Sequence, residues 1–185
     1  MNRPYIIGIT GKKFNGKDTI ADYLVKKYGY TKLAFGDSLK KCIQQLFSFT
    51  YEQVHTDKKE EIDSYWHHSP REFMQFIGTE LLRDMFSKQF PDIGEMLFVK
   101  IIDQKIKQFI ENGIYKIVIC DVRFPNEEKL IRNYSGIIIK VTRPSIITVD
   151  HHISENLEIY HDFILINDKL EQLYKNIDCI IKRTY

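Results

Sequence analysis

Between residues 11 and 17 the chain reads Gly11-Lys12-Lys13-Phe14-Asn15-Gly16-Lys17, a glycine, four variable residues, then glycine and lysine. That spacing suits a phosphate cradle. Glycines let backbone N–H groups curl round an anion with no Cβ in the way. A helix starting at the second glycine turns the positive end of its dipole on the same charge. Lys17 then reaches the β- and γ-phosphates of a nucleoside triphosphate as a point charge. The pattern carries weight only between a buried strand and a helix. Residues 5–10 (YIIGIT) form the apolar run of a strand covered on both faces. From residue 17 onward Ile20, Ala21, Leu24 and Val25 recur at helical spacing until Gly29 supplies a stop. Thr19 is placed for an α-phosphate. Asp18 stands where Ser or Thr usually meets magnesium. It reads either as a carboxylate whose charge magnesium or a nearby base must offset, or as an acidic residue favoured by the helix dipole.

A second carboxylate, Asp121, closes the apolar run Ile117-Val118-Ile119-Cys120. At the carboxyl edge of a parallel sheet it stands where ligands bind, facing the hydration shell of magnesium; the alternative is a cap on the next turn. Cations are spread over separate elements: Lys13, Lys40, Arg71, Arg83, Arg123 and Arg143. Lys40 and Arg83 read as solvated helix residues. Arg123 and Arg143 follow strands directly and suit forked recognition of phosphate oxygens. An acceptor that is itself a phosphate is already anionic near neutral pH. It calls for positioning and charge neutralisation, with no general base. That matches a chain with many cations and no His-Asp pairing. No NKxD-like base-reading motif is present, which weakens a GTPase reading.

The elements that must hold these groups alternate. Strands are expected at 5–10, 31–35, 117–120, 137–141 and 163–166. Helices are expected at 17–28, 38–47, from Ser69-Pro70 onward, 94–112 and 169–181. Ser69-Pro70 opens its helix with a cap and a first-turn proline, and Phe73, Phe76, Ile77, Leu81 and Met85 are expected to share its apolar side. The stretch 48–70, with its run Asp57-Lys58-Lys59-Glu60-Glu61, reads as a polar irregular loop in which Trp66, His67 and His68 sit. Strand-helix alternation predicts a three-layer α/β fold with a parallel sheet.

Composition agrees. The 185 residues are 43% hydrophobic and 28% charged, with net charge +2, which suits one globular domain and offers no basic stripe for nucleic acid. The cysteines Cys42, Cys120 and Cys179 form no CxxC pair, so neither a disulfide framework nor a zinc site is indicated. His151-His152 lack a third ligand at useful spacing. No leader pattern or apolar run of membrane-spanning length is visible, so a cytoplasmic location with no membrane partner is expected.

The chain resembles the deoxynucleoside monophosphate kinases of bacteriophages and large DNA viruses. The matching segments are 11–19 (GKKFNGKDT), 70–82 (PREFMQFIGTELL), 97–100 (LFVK), 118–127 (VICDVRFPNE), 141–144 (VTRP), 152–155 (HISE) and 166–173 (INDKLEQL). They occur in family order along nearly the whole chain, and the GKDT form is itself a family habit. The resemblance implies a P-loop nucleoside monophosphate kinase-like fold over 1–185, with about 48–115 as a mostly helical acceptor-binding or lid region. It implies ATP with Mg2+ as donor, a deoxynucleoside monophosphate as acceptor, no stable nucleic acid partner, and it allows a homodimer. Gly11, Asn15, Gly16, Lys17, Asp18 and Thr19 would then hold ATP. Lys13, Arg71, Gly78, Thr79, Phe98, Asp121, Arg123 and Glu127 would surround the acceptor, with Lys17, Asp121 and Arg123 as catalytic residues. Phe98 stands where the family often has tryptophan, so an aromatic ring for stacking is kept.

Independently, Arg71, Gln75, Thr79 and Arg83 make a polar stripe on their helix. Gly78 there costs about 1 kcal/mol relative to alanine, which suggests close approach of a ligand or backbone. Two rival readings differ in chemistry. A phosphomevalonate- or dephospho-coenzyme-A-type kinase would take another acceptor. A regulatory or nucleic-acid-processing ATPase would consume ATP without a phosphorylated small product.

Overall fold

The computed structural model describes residues 4–144 and 159–184. Five strands form one sheet: β1 (Tyr5–Thr10), β2 (Thr31–Leu33), β3 (Lys116–Ile119), β4 (Ile137–Thr142) and β5 (Phe163–Ile166), in the order β2-β3-β1-β4-β5. Every pairing is parallel, so successive strands are joined by crossovers that cover the sheet faces. The described helices are α1 (Lys17–Tyr28), α2 (Asp37–Phe47), α3 (Tyr51–His55), α4 (Pro70–Gln75), α5 (Phe86–Gln89), α6 (Leu97–Glu111), α7 (Pro125–Asn133) and α8 (Leu170–Thr184). Short 3-10 turns occupy Asp57–Glu60 and Gly94–Met96, and Phe76–Met85 is a π-helix.

The chain divides into two compact units, one made of Met1–Ala34 with Ile102–Tyr185, the other of Phe35–Ile101. In the first, β1 lies at the centre of the sheet. Ile7 and Ile9 point to a core shared with Ile20, Ala21 and Leu24 of α1, Ile139 and Val141 of β4, and Leu173 and Ile177 of α8. On the opposite face, a Cβ at Gly8 would run into Ile131 of α7. Helices thus cover both faces, the three-layer α/β arrangement that strand-helix alternation predicts. The lower part of α1 is fixed to α8 through Asp178, which accepts from Tyr23 Oη (2.8 Å), Tyr28 Oη (2.7 Å) and Lys27 Nζ (2.6 Å). Tyr23 also stacks on Tyr174 at 4.0 Å. Partial burial works against the Asp178 charge, but the donors from Lys27, Tyr28 and Tyr23 outweigh it and hold the carboxyl below its ordinary range.

The second unit is helical. Ile43, Phe49, Val54 and Ile77 form its buried cluster, with Leu39, Phe47, Phe73, Met74 and Leu82 packed round it. Residues 48–70 are not an irregular loop. Thr50 and Gln53 form a capping box that starts α3, Asp63 Oδ1 accepts from the backbone N–H groups of Tyr65 and Trp66, and Trp66 Nε1 donates to Phe47 O at 3.0 Å. The helix at Ser69 opens as expected, and Glu72 completes a capping box with Ser69. From Phe76 it widens into i→i+5 bonding, and the expected apolar side does not hold together. Ile77 is buried, while Phe76, Leu81 and Met85 are 50%, 39% and 57% exposed. A wider turn rotates each residue by less than the α-helical step, so an α-helical spacing no longer lines up one face.

Two further expectations shift. The helix expected at 94–112 divides into the 3-10 turn and α6, and α7, unforeseen, fills the space after Asp121. The histidines His151 and His152 and the 152–155 segment lie outside the described residues.

Candidate active site

The phosphate loop leaves β1 at Thr10 and ends at the head of α1. Gly11 has φ 144° and Gly16 φ 94°, values where side chains are strained. Both positions are also crowded: a Cβ at Gly11 would strike Val141 O, and one at Gly16 the Asn167 amide. Glycine is therefore required twice over at each end of the motif. Phe14 holds φ 65° at the exposed tip, with Lys13 Nζ 4.8 Å from its ring centre.

Inside the loop Lys17 Nζ donates to Gly11 O at 2.7 Å and Lys12 O at 2.9 Å. The ammonium is held over its own loop by these two carbonyls. Asn15 is buried, and its Nδ2 donates to Val141 O at 2.9 Å, anchoring the loop to β4. Asn167, just beyond β5, donates from Nδ2 to Asn15 O at 2.9 Å.

Asp18 is engaged by Lys32 of β2, which reaches its Oδ1 at 2.8 Å and Asp22 Oδ1 at 2.8 Å. Burial opposes the charge on Lys32, but its bonds to Asp18 and Asp22 prevail and raise its pKa. Here is a base that offsets the Asp18 carboxylate.

Asp121 lies past the last residue of β3, bracketed by two bonds that extend the ladder. Cys120 N–H donates to Leu33 O, and Val122 N–H to Ile9 O, each at 3.1 Å. Asp121 therefore stands at the sheet's carboxyl edge beside the strand that leads into the glycine-bounded loop. Arg123 follows on a segment shaped by Glu127. That carboxylate is 1% exposed, and its Oε2 accepts from Arg123 N (2.8 Å) and Phe124 N (3.2 Å). Two N–H groups at the head of α7 are thereby satisfied. Arg143, beyond β4, is exposed.

The first unit thus gathers Gly11, Lys13, Asn15, Gly16, Lys17, Asp18, Thr19, Asp121, Arg123 and Glu127. The second carries Arg71, Gly78, Thr79 and Phe98. Arg71, Gln75, Thr79 and Arg83 are all half-buried, and the Arg83 guanidinium lies 5.1 Å from the ring centre of Phe98, itself buried. Gly78 has a structural motive that its sequence did not reveal: a Cβ there would press on Leu39 Cδ2 at 2.6 Å.

Sequence reasoning missed Lys32 and gave Asn167 no role. Lys32 lies 14 positions from Asp18 with no motif around it. The one available signal for Asn167 is its place in the segment 166–173.

No group of three His, Cys, Asp or Glu side chains suited to a metal ion occurs among the described residues. Nor is any described helix long and apolar enough to cross a membrane.

Comparison with known proteins bears on the fold and the family. The fold matches that of several solved structures. The Thermus thermophilus protein TT1252 aligns over 100% of both chains with a TM-score of 0.55 at 14% identity. Dephospho-CoA kinase from Campylobacter jejuni aligns over 97% of this chain and 96% of its own, with a TM-score of 0.52 at 12% identity. A sugar kinase from a Janibacter species gives 0.52 at 12% identity, over 97% and 95%. A protein of Acanthamoeba polyphaga mimivirus, assigned provisionally as a deoxynucleotide monophosphate kinase, is 35% identical over 181 residues and 93% of each chain. The sequence profile of the deoxynucleotide monophosphate kinase family matches residues 44–177. This chain has the α/β fold of the P-loop kinases and belongs to the deoxynucleotide monophosphate kinase family.

Proposed function

We propose that the protein transfers the γ-phosphate of ATP to a deoxynucleoside 5′-monophosphate, giving the diphosphate. One observation carries the donor half of this reading: the Lys17 ammonium is fixed above a glycine-bounded loop by Gly11 O and Lys12 O. A triphosphate entering the loop replaces those carbonyls with β- and γ-oxygens. The N-terminus of α1 faces the same anion, and Thr19 serves the α-phosphate.

In the transfer an acceptor phosphate oxygen bonds to the γ-phosphorus as the bond to the β-bridging oxygen breaks. The acceptor oxygen is already ionised, so no proton has to leave it. Lys17 and Arg123 neutralise the charge that spreads over the transferred group. Lys13, with Arg71 and Thr79 of the second unit, is assigned to the acceptor's phosphate and base, with Glu127 holding the Arg123 segment in shape.

Magnesium bound to ATP needs only one or two protein carboxylates because phosphate and water supply its other oxygens. The hard oxygen donor at the sheet edge, the Asp121 carboxylate, fits that demand. The ion would supply charge neutralisation of the triphosphate. Selection against a ribose 2′-OH would come from packing at C2′, where an unpaired buried hydroxyl costs about 1–3 kcal/mol.

The test is mass spectrometry of products from ATP–Mg with four deoxynucleoside and four ribonucleoside monophosphates, with dephospho-coenzyme A and phosphomevalonate alongside. The expected result is at least one deoxynucleoside diphosphate, with the matching ribonucleotide roughly ten- to a hundredfold poorer, as one such hydroxyl would give. Turnover of either other acceptor, with no nucleoside diphosphate, overturns the reading.

A further inference from the structure

We infer that Asn167, just beyond β5, is a positioning residue for the phosphate loop: its side-chain amide sets the direction in which the Gly16 N–H points. The inference rests on the donor-site reading above and adds a residue that no loop motif contains.

One contact meets the Asn15–Gly16 peptide unit, and two more anchor the residues that make it. Asn167 Nδ2 donates to Asn15 O at 2.9 Å. Asn15 Nδ2 donates in turn to Val141 O at 2.9 Å, in a buried position. Asn167 is itself fixed, because its backbone N–H donates to Thr142 O at 2.8 Å and so continues the β4–β5 ladder by one bond. The amide is therefore mounted on the sheet and reaches across to the loop, 152 residues away in sequence.

Peptide planarity turns this contact into a statement about phosphate binding. In a trans peptide the C=O and the following N–H point to opposite sides, and no described peptide bond is cis. Holding Asn15 O against Asn167 therefore directs the Gly16 N–H away from β5. Three of the loop's other carbonyls are committed elsewhere: Gly11 O and Lys12 O to Lys17 Nζ, and Gly16 O to the first helical bond, from Ile20 N–H. The Asn15–Gly16 unit, by contrast, takes its orientation from a side chain outside the loop. Gly16 must also lack a side chain for this to work, since its missing Cβ would occupy the position of Asn167 Nδ2. The glycine of the motif thus admits the asparagine, and the asparagine orients the glycine's N–H.

Asn167→Leu keeps the approximate volume and removes the donor, whereas Asn167→Ala removes both. Steady-state kinetics should vary ATP at saturating deoxynucleoside monophosphate, then the reverse, with calorimetric titration of ATP and thermal melting of each variant. Loss of one hydrogen bond that orders the loop should raise the KM for ATP about five- to tenfold in both variants. The KM for the acceptor should stay within about twofold and the melting temperature close to that of the unaltered protein. An ATP KM unchanged in Asn167→Leu, or a rise shared equally by both substrates, overturns the inference while leaving the donor site intact. Absence of ATP binding by the unaltered protein sinks the donor-site reading, and this inference with it. Should Asn167→Ala fail to fold, Asn167→Leu alone carries the comparison.

Discussion

The two units of this protein achieve order by different means. In the first, isoleucines of a parallel sheet and of the helices that cover it are sealed on both faces, and Ile7, Ile9, Ile20, Ile117, Ile119, Ile131, Ile138 and Ile139 are fully buried. In the second, Ile43 and Val54 are buried as completely, and the rest of the cluster, Phe49 and Ile77, is 5% and 9% exposed. Its cluster depends on aromatic contacts, Phe47 with Phe73 at 4.2 Å and with Trp66 at 5.2 Å, and on helix caps at Thr50 and Ser69. The polar groups differ in parallel. Round the glycine-bounded loop, Asn15 is tied to β4 and to the residue after β5, and Asp18 to β2, whereas in the second unit Arg71 lies on α4 and Thr79 and Arg83 on the π-helix that continues it. A phosphate cradle must be rigid before its ligand arrives, because preorganised donors avoid reorganisation in the transition state.

This contrast yields an ordered set of expectations. The largest effect belongs to Lys17→Ala, which removes a charge from the rigid site without touching the core. Transfer should fall by about 10²–10³-fold with the melting temperature nearly unchanged, as for loss of other transition-state donors. Activity within a few-fold of the unaltered protein, in a folded variant, would break the assignment of this loop to the donor.

Next comes a pair of cations, one from each unit. Arg123→Ala should lower kcat/KM severely, and Lys58→Ala, on the exposed 3-10 turn of the second unit, should leave it unchanged. Measured side by side, equal losses would show that position at the sheet edge does not rank these cations.

The smallest effects concern stability and sharpen the comparison. Glu127→Ala strands two N–H groups at the head of α7 and should cost about 1–3 kcal/mol, while Glu127→Gln, which keeps an acceptor, should cost less. Ser69→Ala removes one cap in the second unit and should cost about 1 kcal/mol. Urea denaturation of the three variants gives the order directly, and a Ser69 loss larger than that of Glu127 would reverse it.

Much of the rigid unit was legible in the sequence because its signals are local. A strand buried on both faces shows as an apolar run, and the phosphate loop shows as glycines at fixed offsets. The cross-sheet anchors were not legible: Asn167 to Asn15 and Asn15 to Val141 join residues brought together only by strand order. Lys32 with Asp18 failed for the same reason. Helix α7 announced itself by Pro125 and Glu127 at its first and third positions, but its polar exposed face hid the pattern.

In the second unit, Thr50 and Gln53 carried a readable capping box inside a stretch whose charges suggested a loop. The π-helix at Phe76–Met85 carried no such sign. Its hydrogen-bond register depends on what the surrounding helices leave room for, and an apolar spacing read as α-helical placed Phe76, Leu81 and Met85 on the wrong side of burial.

The position of β1 in the sheet also has a consequence in time. It precedes the other strands of its sheet in the chain, yet it occupies the centre, and its partners lie far downstream: Tyr5 pairs with Lys116 and Ile7 with Ile137. At about 5–20 residues per second, a ribosome takes roughly 6–22 s to supply the first of them. The Phe35–Ile101 unit emerges entirely within that interval and has all its own contacts available. The apolar run Tyr5–Thr10 waits without a neighbour on either side, and the slow closure of such distant pairings makes it the segment that a nascent-chain chaperone has most reason to shield.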